Sequence, residues 1–110
     1  MAQPGVVAQR GGERVADRVY RRIAARAAAD ALAPAWQGRP GSGPYPKVSA
    51  LLSHGRVRLT LHLELPFPSD VGTLARTARD AACRTVTELT GTPVTGADVI
   101  VDRLHPAVAG

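Results

Sequence analysis

The sequence predicts an α+β fold: a two-layer α/β sandwich with element order α-β-β-α-β and a small three-stranded mixed sheet. Three patterns carry this prediction. Residues 57–65 alternate strictly between apolar and polar side chains, which indicates a half-buried strand. Residues 13–32 and 70–90 repeat apolar residues at helical spacing, and residues 97–103 alternate again. Because one sheet face and one stripe of each helix are apolar, both helices are expected on the same face of the sheet.

The chain of 110 residues has room for one domain, which we place at residues 13–105. Residues 1–12 are expected to form a disordered tail, residues 34–47 a Pro- and Gly-rich internal loop, and residues 106–110 a C-terminal tail. Cys83 is the single cysteine, so an internal disulfide is excluded. No apolar run reaches the length of about 20 residues that spans a bilayer, and residues 1–10 lack a signal-peptide core. A cytoplasmic location is therefore expected.

The first helix has an apolar stripe and a basic flank. Its apolar residues recur at helical spacing: Ala16, Val19, Tyr20, Ile23, Ala27 and Ala31. Five arginines cluster on a different arc: Arg14, Arg18, Arg21, Arg22 and Arg26. Pro34 is expected to end this helix.

Residues 48–52 are a weaker strand candidate, and the turn Ser53-His54-Gly55 leads from it into the strand at 57–65. The pair is predicted to form a hairpin. The polar positions of the second strand are expected to point to the open face of the sheet: Arg58, Thr60, His62 and Glu64.

Both ends of the second helix are marked in the sequence. Ser69 is predicted to cap its first turn, with Asp70 complementing the helix dipole, and Gly91 is predicted to end it in a left-handed conformation. Its apolar face is Val71, Leu74, Ala75, Ala78, Ala82, Val86 and Leu89. In the last strand Val99 and Val101 occupy one face, and Asp98, Ile100 and Asp102 the other. If the last two strands pair in parallel, their crossover is expected to be right-handed; the strand order stays open.

Few residues suggest catalytic chemistry. His54, His62 and His105 are scattered over different segments, so neither a metal nor another cofactor is expected. Cys83 lies off the apolar arc near Arg79 and Arg84, whose positive charge favours a lowered thiol pKa, although a plain small residue is the simpler interpretation. Asp98 and Asp102 are too far apart along a strand to share a proton. The chain is therefore not expected to be an enzyme.

Three segments resemble the alkaline-shock and cell-envelope-stress proteins of Gram-positive bacteria. They are the first helix from Arg14 to Ala27, the long alternating strand running into the helix that closes with Leu89-Thr90-Gly91, and the final strand from Val99 to Leu104. In their order and spacing they cover roughly residues 14–33 and 48–105. The motif Pro66-Phe67-Pro68 replaces a Tyr-Gly pair that is common in the family, as expected of a divergent, actinobacterial member. The resemblance implies a non-enzymatic envelope-stress protein that self-associates and is tethered to the membrane by a separate membrane-embedded partner.

The expected partners are therefore a second copy or family paralogue and a membrane-embedded anchoring protein, with no small-molecule substrate. Candidate partner-binding residues are Arg14, Arg18, Arg21, Arg22 and Arg26 on the first helix, with Arg58 and His62 on the open sheet face. The net charge of +5 leaves a small basic nucleic-acid-binding module as the alternative. That alternative lacks a Gly-x-x-Gly loop between helices and exposed aromatic residues on its predicted strands.

Overall fold

The computed structural model describes residues 2–39, 41 and 43–106, with side chains from residue 17 onward. The elements in chain order are α1 (Ala2–Trp36), β1 (Lys47–Ser53), β2 (Arg56–Phe67), α2 (Val71–Thr90) and β3 (Val94–Pro106). This order confirms the predicted α-β-β-α-β arrangement of two helices and a three-stranded mixed sheet. Residues 107–110 of the expected C-terminal tail lie outside the described residues.

The sheet has the order β1-β2-β3, with β2 in the centre. β1 pairs with β2 in the predicted antiparallel hairpin, in which Leu52 lies opposite Val57. β3 pairs with β2 in parallel, so the sheet is mixed. The β2–β3 register shifts twice, and these shifts leave Thr95 and Asp102 of β3 without a partner residue on β2.

The hydrophobic core is aliphatic and lies between one face of the sheet and both helices. β2 contributes its five alternating apolar residues, which are fully buried: Val57, Leu59, Leu61, Leu63 and Leu65. Both helices supply mainly small residues to the same cluster, with Tyr20, Ala24, Ala28 and Leu32 from α1 and Ala78, Ala82 and Val86 from α2. Because alanine projects little from a helix, both helix axes can lie close to the leucine-rich face of β2.

The bounds of α1 differ from the prediction at both ends. The helix begins at Ala2 rather than near residue 13, so the backbone of residues 2–12 is helical where a disordered tail was expected. Pro4 lies in the first turn, where a backbone N–H has no helical acceptor to lose. At the other end the helix continues through Pro34 and ends where Gln37 (φ 50°) and Gly38 (φ 78°) take left-handed conformations.

The N-terminal cap of α2 is Asp70 and not Ser69. The Asp70 carboxylate accepts hydrogen bonds from the Thr73 backbone N–H at 3.1 Å and from the Thr73 hydroxyl at 2.8 Å. Ser69 instead donates its hydroxyl proton to the carbonyl of Pro66. The predicted C-terminal end is confirmed, because Gly91 has φ 74° and its N–H bonds to the carbonyl of Thr87 at 2.9 Å.

Candidate functional site: the groove between the two helices

The apolar stripe of α1 only partly matches the predicted one. Tyr20 is buried as predicted, and the buried row continues through Ala24, Ala28 and Leu32. The predicted stripe continued instead through four residues that are not fully buried: Val19, Ile23, Ala27 and Ala31. Val19 is 42% exposed, and the other three are half-buried. Ala16 of the predicted row lies outside the residues whose side chains the structure describes. α1 therefore has two neighbouring apolar rows, and only one of them is fully covered by the rest of the molecule.

The second apolar row of α1 lines a groove against α2. We define the helix groove by ten residues: Arg22, Ile23, Arg26, Ala27, Asp30 and Ala31 from α1, and Ala81, Arg84, Thr85 and Leu89 from α2. It encloses about 580 Å³. The two helices run antiparallel. The Tyr20 hydroxyl lies 2.6 Å from Oγ1 of Thr92, just beyond the end of α2, whereas Trp36 at the end of α1 contacts His105 at the other end of the sheet, where β2 leads into α2. The floor of the groove is apolar and its rims are charged.

Leu89 is the most exposed large apolar side chain in the helix groove. It was predicted to belong to the buried face of α2, but it is 69% exposed. Ala81, which the prediction left out of that face, is instead buried at 8% exposure. The apolar arc of α2 is thus turned toward Ala81. Leu89 therefore lines the helix groove while most of its side chain stays exposed.

The predicted arginines of α1 divide into paired and unpaired residues. Arg21 pairs with Asp17 at 3.6 Å, and Arg26 pairs with Asp30 at 3.2 Å, each one turn away on the same helix. Within the described part of the chain, Arg18 and Arg22 have no ion-pair partner. The side chain of Arg14 lies outside the described residues.

A shallow depression beside the start of β1 brings three of these arginines together. It is lined by Arg18, Arg21 and Arg22 with Ala25 and Val48. Arg22 belongs to both surfaces, because it also lines the helix groove. The basic flank of α1 therefore adjoins the helix groove.

Arg58 and His62 lie on the other side of the sheet from the helices, as predicted. Each pairs across the strands with an aspartate of β3: Arg58 with Asp98 at 3.2 Å, and His62 with Asp102 at 3.1 Å. These contacts are cross-strand pairs on an open sheet face. The predicted partner-binding residues whose side chains are described therefore do not form one site, since Arg18, Arg21, Arg22 and Arg26 lie on α1, and Arg58 and His62 lie on the opposite face of the sheet.

Glu64 departs from the prediction that it faces solvent. It continues the alternation of β2 but is only 4% exposed. The connection between α1 and β1 passes close over it: a Cβ atom added at Gly41 would lie 3.1 Å from Oε1 of Glu64. His105 approaches from β3, with Nδ1 3.5 Å from Oε2 of Glu64. The Pro- and Gly-rich segment thus covers a carboxylate at the end of the sheet.

A second cavity, the Glu64 pocket, lies beside this carboxylate and has a volume of about 240 Å³. Two aromatic side chains, those of Trp36 and Tyr45, are among the residues that line it. Its lining residues are Ala29, Leu32, Trp36, Gly41, Gly43, Tyr45, Pro46 and Glu64. The ring of Trp36 lies 5.6 Å from that of His105, and the guanidinium of Arg39 is 5.8 Å from the Trp36 ring centre. Arg39 also donates to the carbonyl of His105 at 3.0 Å. These contacts fasten the end of α1 to the end of β3.

His54 and Cys83 line neither the helix groove nor the Glu64 pocket. His54 contacts the hydroxyl of Ser53 at 2.9 Å, in the hairpin turn. Cys83 is half-buried and packs against the hydrophobic core, and burial raises the pKa of its thiol. The nearby Arg79 opposes this rise but does not cancel it, so the structure favours the simpler interpretation of Cys83 as a plain small residue over the alternative of a lowered thiol pKa.

Part of the helix groove was visible in the sequence and part was not. Arg22 and Arg26 were named as candidate partner-binding residues. Ile23, Ala27 and Leu89 were assigned to the core, and Arg84 was not a candidate. The sequence signal for the groove was that α1 has more apolar positions than one core-facing stripe needs. Two adjacent apolar rows could each face the core. Spacing alone does not decide which row is buried.

Comparison with protein-family models, with curated proteins and with solved structures gave no match to this chain. The resemblance to the alkaline-shock proteins therefore stays a prediction. Within the described residues, no helix is both long enough and apolar enough to cross a lipid bilayer.

Proposed function

We propose that this protein is a non-enzymatic, cytoplasmic interaction protein of the envelope-stress type. In this proposal it associates with a second copy or paralogue and binds a membrane-embedded partner protein. The resemblance of residues 14–33 and 48–105 to the alkaline-shock family is one support. The physical support is independent of that resemblance and lies in the helix layer.

The observation that carries the proposal is the uncovered apolar row of α1 and its continuation onto α2. Ile23, Ala27 and Ala31 are only half-buried, and Leu89 beside them is 69% exposed. A small protein gains stability by covering such residues with its own chain. A contiguous apolar strip bordered by arginines is instead typical of a surface that another protein covers.

The sheet supplies a second kind of contact surface. Because β2 is central, β1 and β3 are both edge strands. An edge strand has backbone N–H and C=O groups that another strand can pair with. This arrangement supports self-association as the companion of partner binding.

The test is a pull-down of the tagged protein from detergent-solubilised cells that express it, with and without nuclease, followed by mass spectrometry. The change to compare is Arg18→Glu with Arg22→Glu, two exposed arginines without ion-pair partners in the described part of the chain. We expect the unchanged protein to retain the same membrane protein or paralogue with and without nuclease. We expect the double variant to lose most of that retention, at least fivefold, because its basic flank is reversed in sign.

The matched control is Arg56→Glu with Arg103→Glu, which makes the same charge change at exposed positions of β2 and β3. This control is expected to retain the partner. Equal retention by both double variants would remove the basic flank of α1 from the proposal. Recovery only of nucleic-acid-associated proteins that disappear with nuclease, together with affinity that falls steeply with salt, would replace the proposal with the nucleic-acid-binding alternative.

A further inference from the structure

We infer that the helix groove binds an acidic amphipathic helix supplied by a different protein. The inference rests on the proposed function and names the chemistry of the partner. Three properties of the groove carry it: its length and floor, its exposed leucine, and the placement of its charges.

The shape of the groove suits a third helix. Its lining on α1 extends from residue 22 to residue 31, which at 1.5 Å per residue is about 15 Å, or roughly three helical turns. The floor contains Ala27, Ala31 and Ala81, whose small side chains let another helix approach closely. Two antiparallel helices with a shallow apolar seam form the kind of groove into which an amphipathic helix lays its apolar face.

Leu89 gives the groove an anchor at one end. It projects from the last turns of α2, near the part of α1 that carries Ile23, and is 69% exposed. An aliphatic side chain on a bound helix would contact Leu89 and Ile23 together and remove both from water. The bound helix therefore needs an aliphatic seam with helical spacing.

The charges select an acidic partner. The groove is lined by Arg22 and Arg26 on α1 and by Arg84 on α2, against the single carboxylate of Asp30. Asp30 pairs with Arg26 at 3.2 Å, and among the described residues neither Arg22 nor Arg84 has an ion-pair partner. The two rims thus each present one unpaired guanidinium. Asp or Glu side chains on both flanks of a bound helix would meet them.

The same charges argue against a second copy in this groove. Two copies docked there would bring Arg22 and Arg84 of one chain against the same residues of the other, in a chain whose net charge is +5. Like charges at an interface oppose association. Self-association therefore uses a different surface, and the groove is left for a heterologous partner.

The experiment is a selection from a display library of 18-residue helical peptides. The seam positions i, i+4, i+7 and i+11 are fixed as leucine, the flanking positions are randomised, and the full-length protein is the target. Selected peptides are expected to be enriched at least threefold in Asp and Glu at the flanking positions. Their binding, measured by fluorescence anisotropy, is expected to weaken at least tenfold with Arg22→Glu plus Arg84→Glu, and with Leu89→Lys.

The controls use exposed positions outside the groove. Leu51→Lys changes a leucine that is 67% exposed on β1, and Arg56→Glu reverses an exposed arginine of β2. Both are expected to bind the selected peptides as the unchanged protein does, and melting curves verify that every variant is folded. The inference is overturned if no peptide is selected, if flanking positions favour Lys or Arg, or if groove and control variants bind equally.

Failure of this inference is distinguishable from failure of the proposed function. If the peptides show no acidic preference but the pull-down still retains a membrane partner through Arg18 and Arg22, the proposed function stands and the groove inference falls. If acidic peptides bind in the groove but the pull-down recovers neither a partner protein nor a paralogue, the inference about the groove is supported and the proposed envelope-stress function is rejected.

Discussion

At the scale of single residues, Asp70 shows how one side chain defines an element boundary. Asp70 follows the segment Phe67-Pro68-Ser69. Because the residue before a proline is disfavoured in the helical conformation, α2 is not expected to begin at Phe67. The Asp70 carboxylate accepts hydrogen bonds from the Thr73 hydroxyl and the Thr73 N–H, and these bonds lower the pKa of Asp70 below its ordinary value. The ionised form is therefore the one that caps α2.

The first prediction at this scale concerns the dependence of stability on pH. Because the pKa of Asp70 is lowered in the folded state, its stabilisation is fully present above about pH 4, the region of the unfolded pKa. It is lost as the pH falls through the lower folded value. Asp70→Ala is expected to melt several degrees lower than the unchanged protein at neutral pH, with the difference shrinking below about pH 4.

Circular dichroism melting between about pH 7 and pH 2.5 measures this effect. Asp70→Asn is the control, because asparagine also caps helices but does not titrate. It is expected to keep most of the neutral-pH stability. A difference between Asp70→Ala and the unchanged protein that is constant across the whole pH range would show that the cap does not depend on the charge of Asp70.

At the scale of elements, β2 holds the two layers together. Its five alternating apolar residues, from Val57 to Leu65, are fully buried and contact core residues of both helices, while its edges pair with β1 and β3. Leu61 lies at the middle of this strand, opposite Val48 on β1 and Val99 on β3. Among the elements that the structure describes, only β2 has strand neighbours on both edges and five fully buried side chains on one face.

Leu61→Asp is therefore expected to unfold the domain. An unpaired carboxylate at a fully buried position costs about 4 kcal/mol or more, which is most of the stability of a small domain. Leu51→Asp is the matched control, because it makes the same replacement at a leucine that is 67% exposed. Urea unfolding followed by circular dichroism distinguishes the two, and a cooperative transition for Leu61→Asp would mean that Leu61 does not face the core.

The element order, the hairpin and the apolar face of β2 could be predicted because each depends on local spacing. The alternation around Leu61 and the glycine at position 91 decide their structures within a few residues. The burial of Glu64 could not be predicted, since it depends on where the distant Gly41 passes. The buried row of α1 could not be predicted either, because Ala24 and Ile23 are both apolar and only packing against the sheet selects one row.

At the scale of the whole molecule, the sheet separates two differently charged surfaces. On the helix side, three arginines that line the helix groove and the adjoining depression have no ion-pair partner among the described residues: Arg18, Arg22 and Arg84. On the open face, the aspartates Asp98 and Asp102 are within ion-pair distance of Arg58 and His62. Among the side chains that the structure describes, the two helices carry seven arginines against four carboxylates, whereas the three strands carry four basic residues against three carboxylates, so the positive excess lies mainly on the helix side. An acidic partner is therefore steered to the helix side.

The position of α1 against the rest of the molecule depends on a contact between residues far apart in sequence. The hydroxyl of Tyr20 and Oγ1 of Thr92 are 2.6 Å apart, and Thr92 lies in the connection from α2 to β3. This hydrogen bond links α1 to the connection between α2 and β3. Because Tyr20 is only 8% exposed, water competes poorly for its hydroxyl.

A double-mutant cycle with Tyr20→Phe and Thr92→Val measures this link. Each single variant is expected to lower the free energy of unfolding by about 1 kcal/mol, and the double variant by less than the sum, since the second change removes a hydroxyl whose partner is already absent. The control pairs Thr92→Val with Tyr45→Phe, which removes an exposed hydroxyl that contacts Asp102 and not Thr92, so its effects are expected to add. Urea unfolding gives all the values. Additive effects of Tyr20→Phe and Thr92→Val would show that the two hydroxyls are not coupled, and the antiparallel alignment that forms the helix groove would then rest on apolar packing and on the contacts of Trp36 and Arg39 at the C-terminal end of α1.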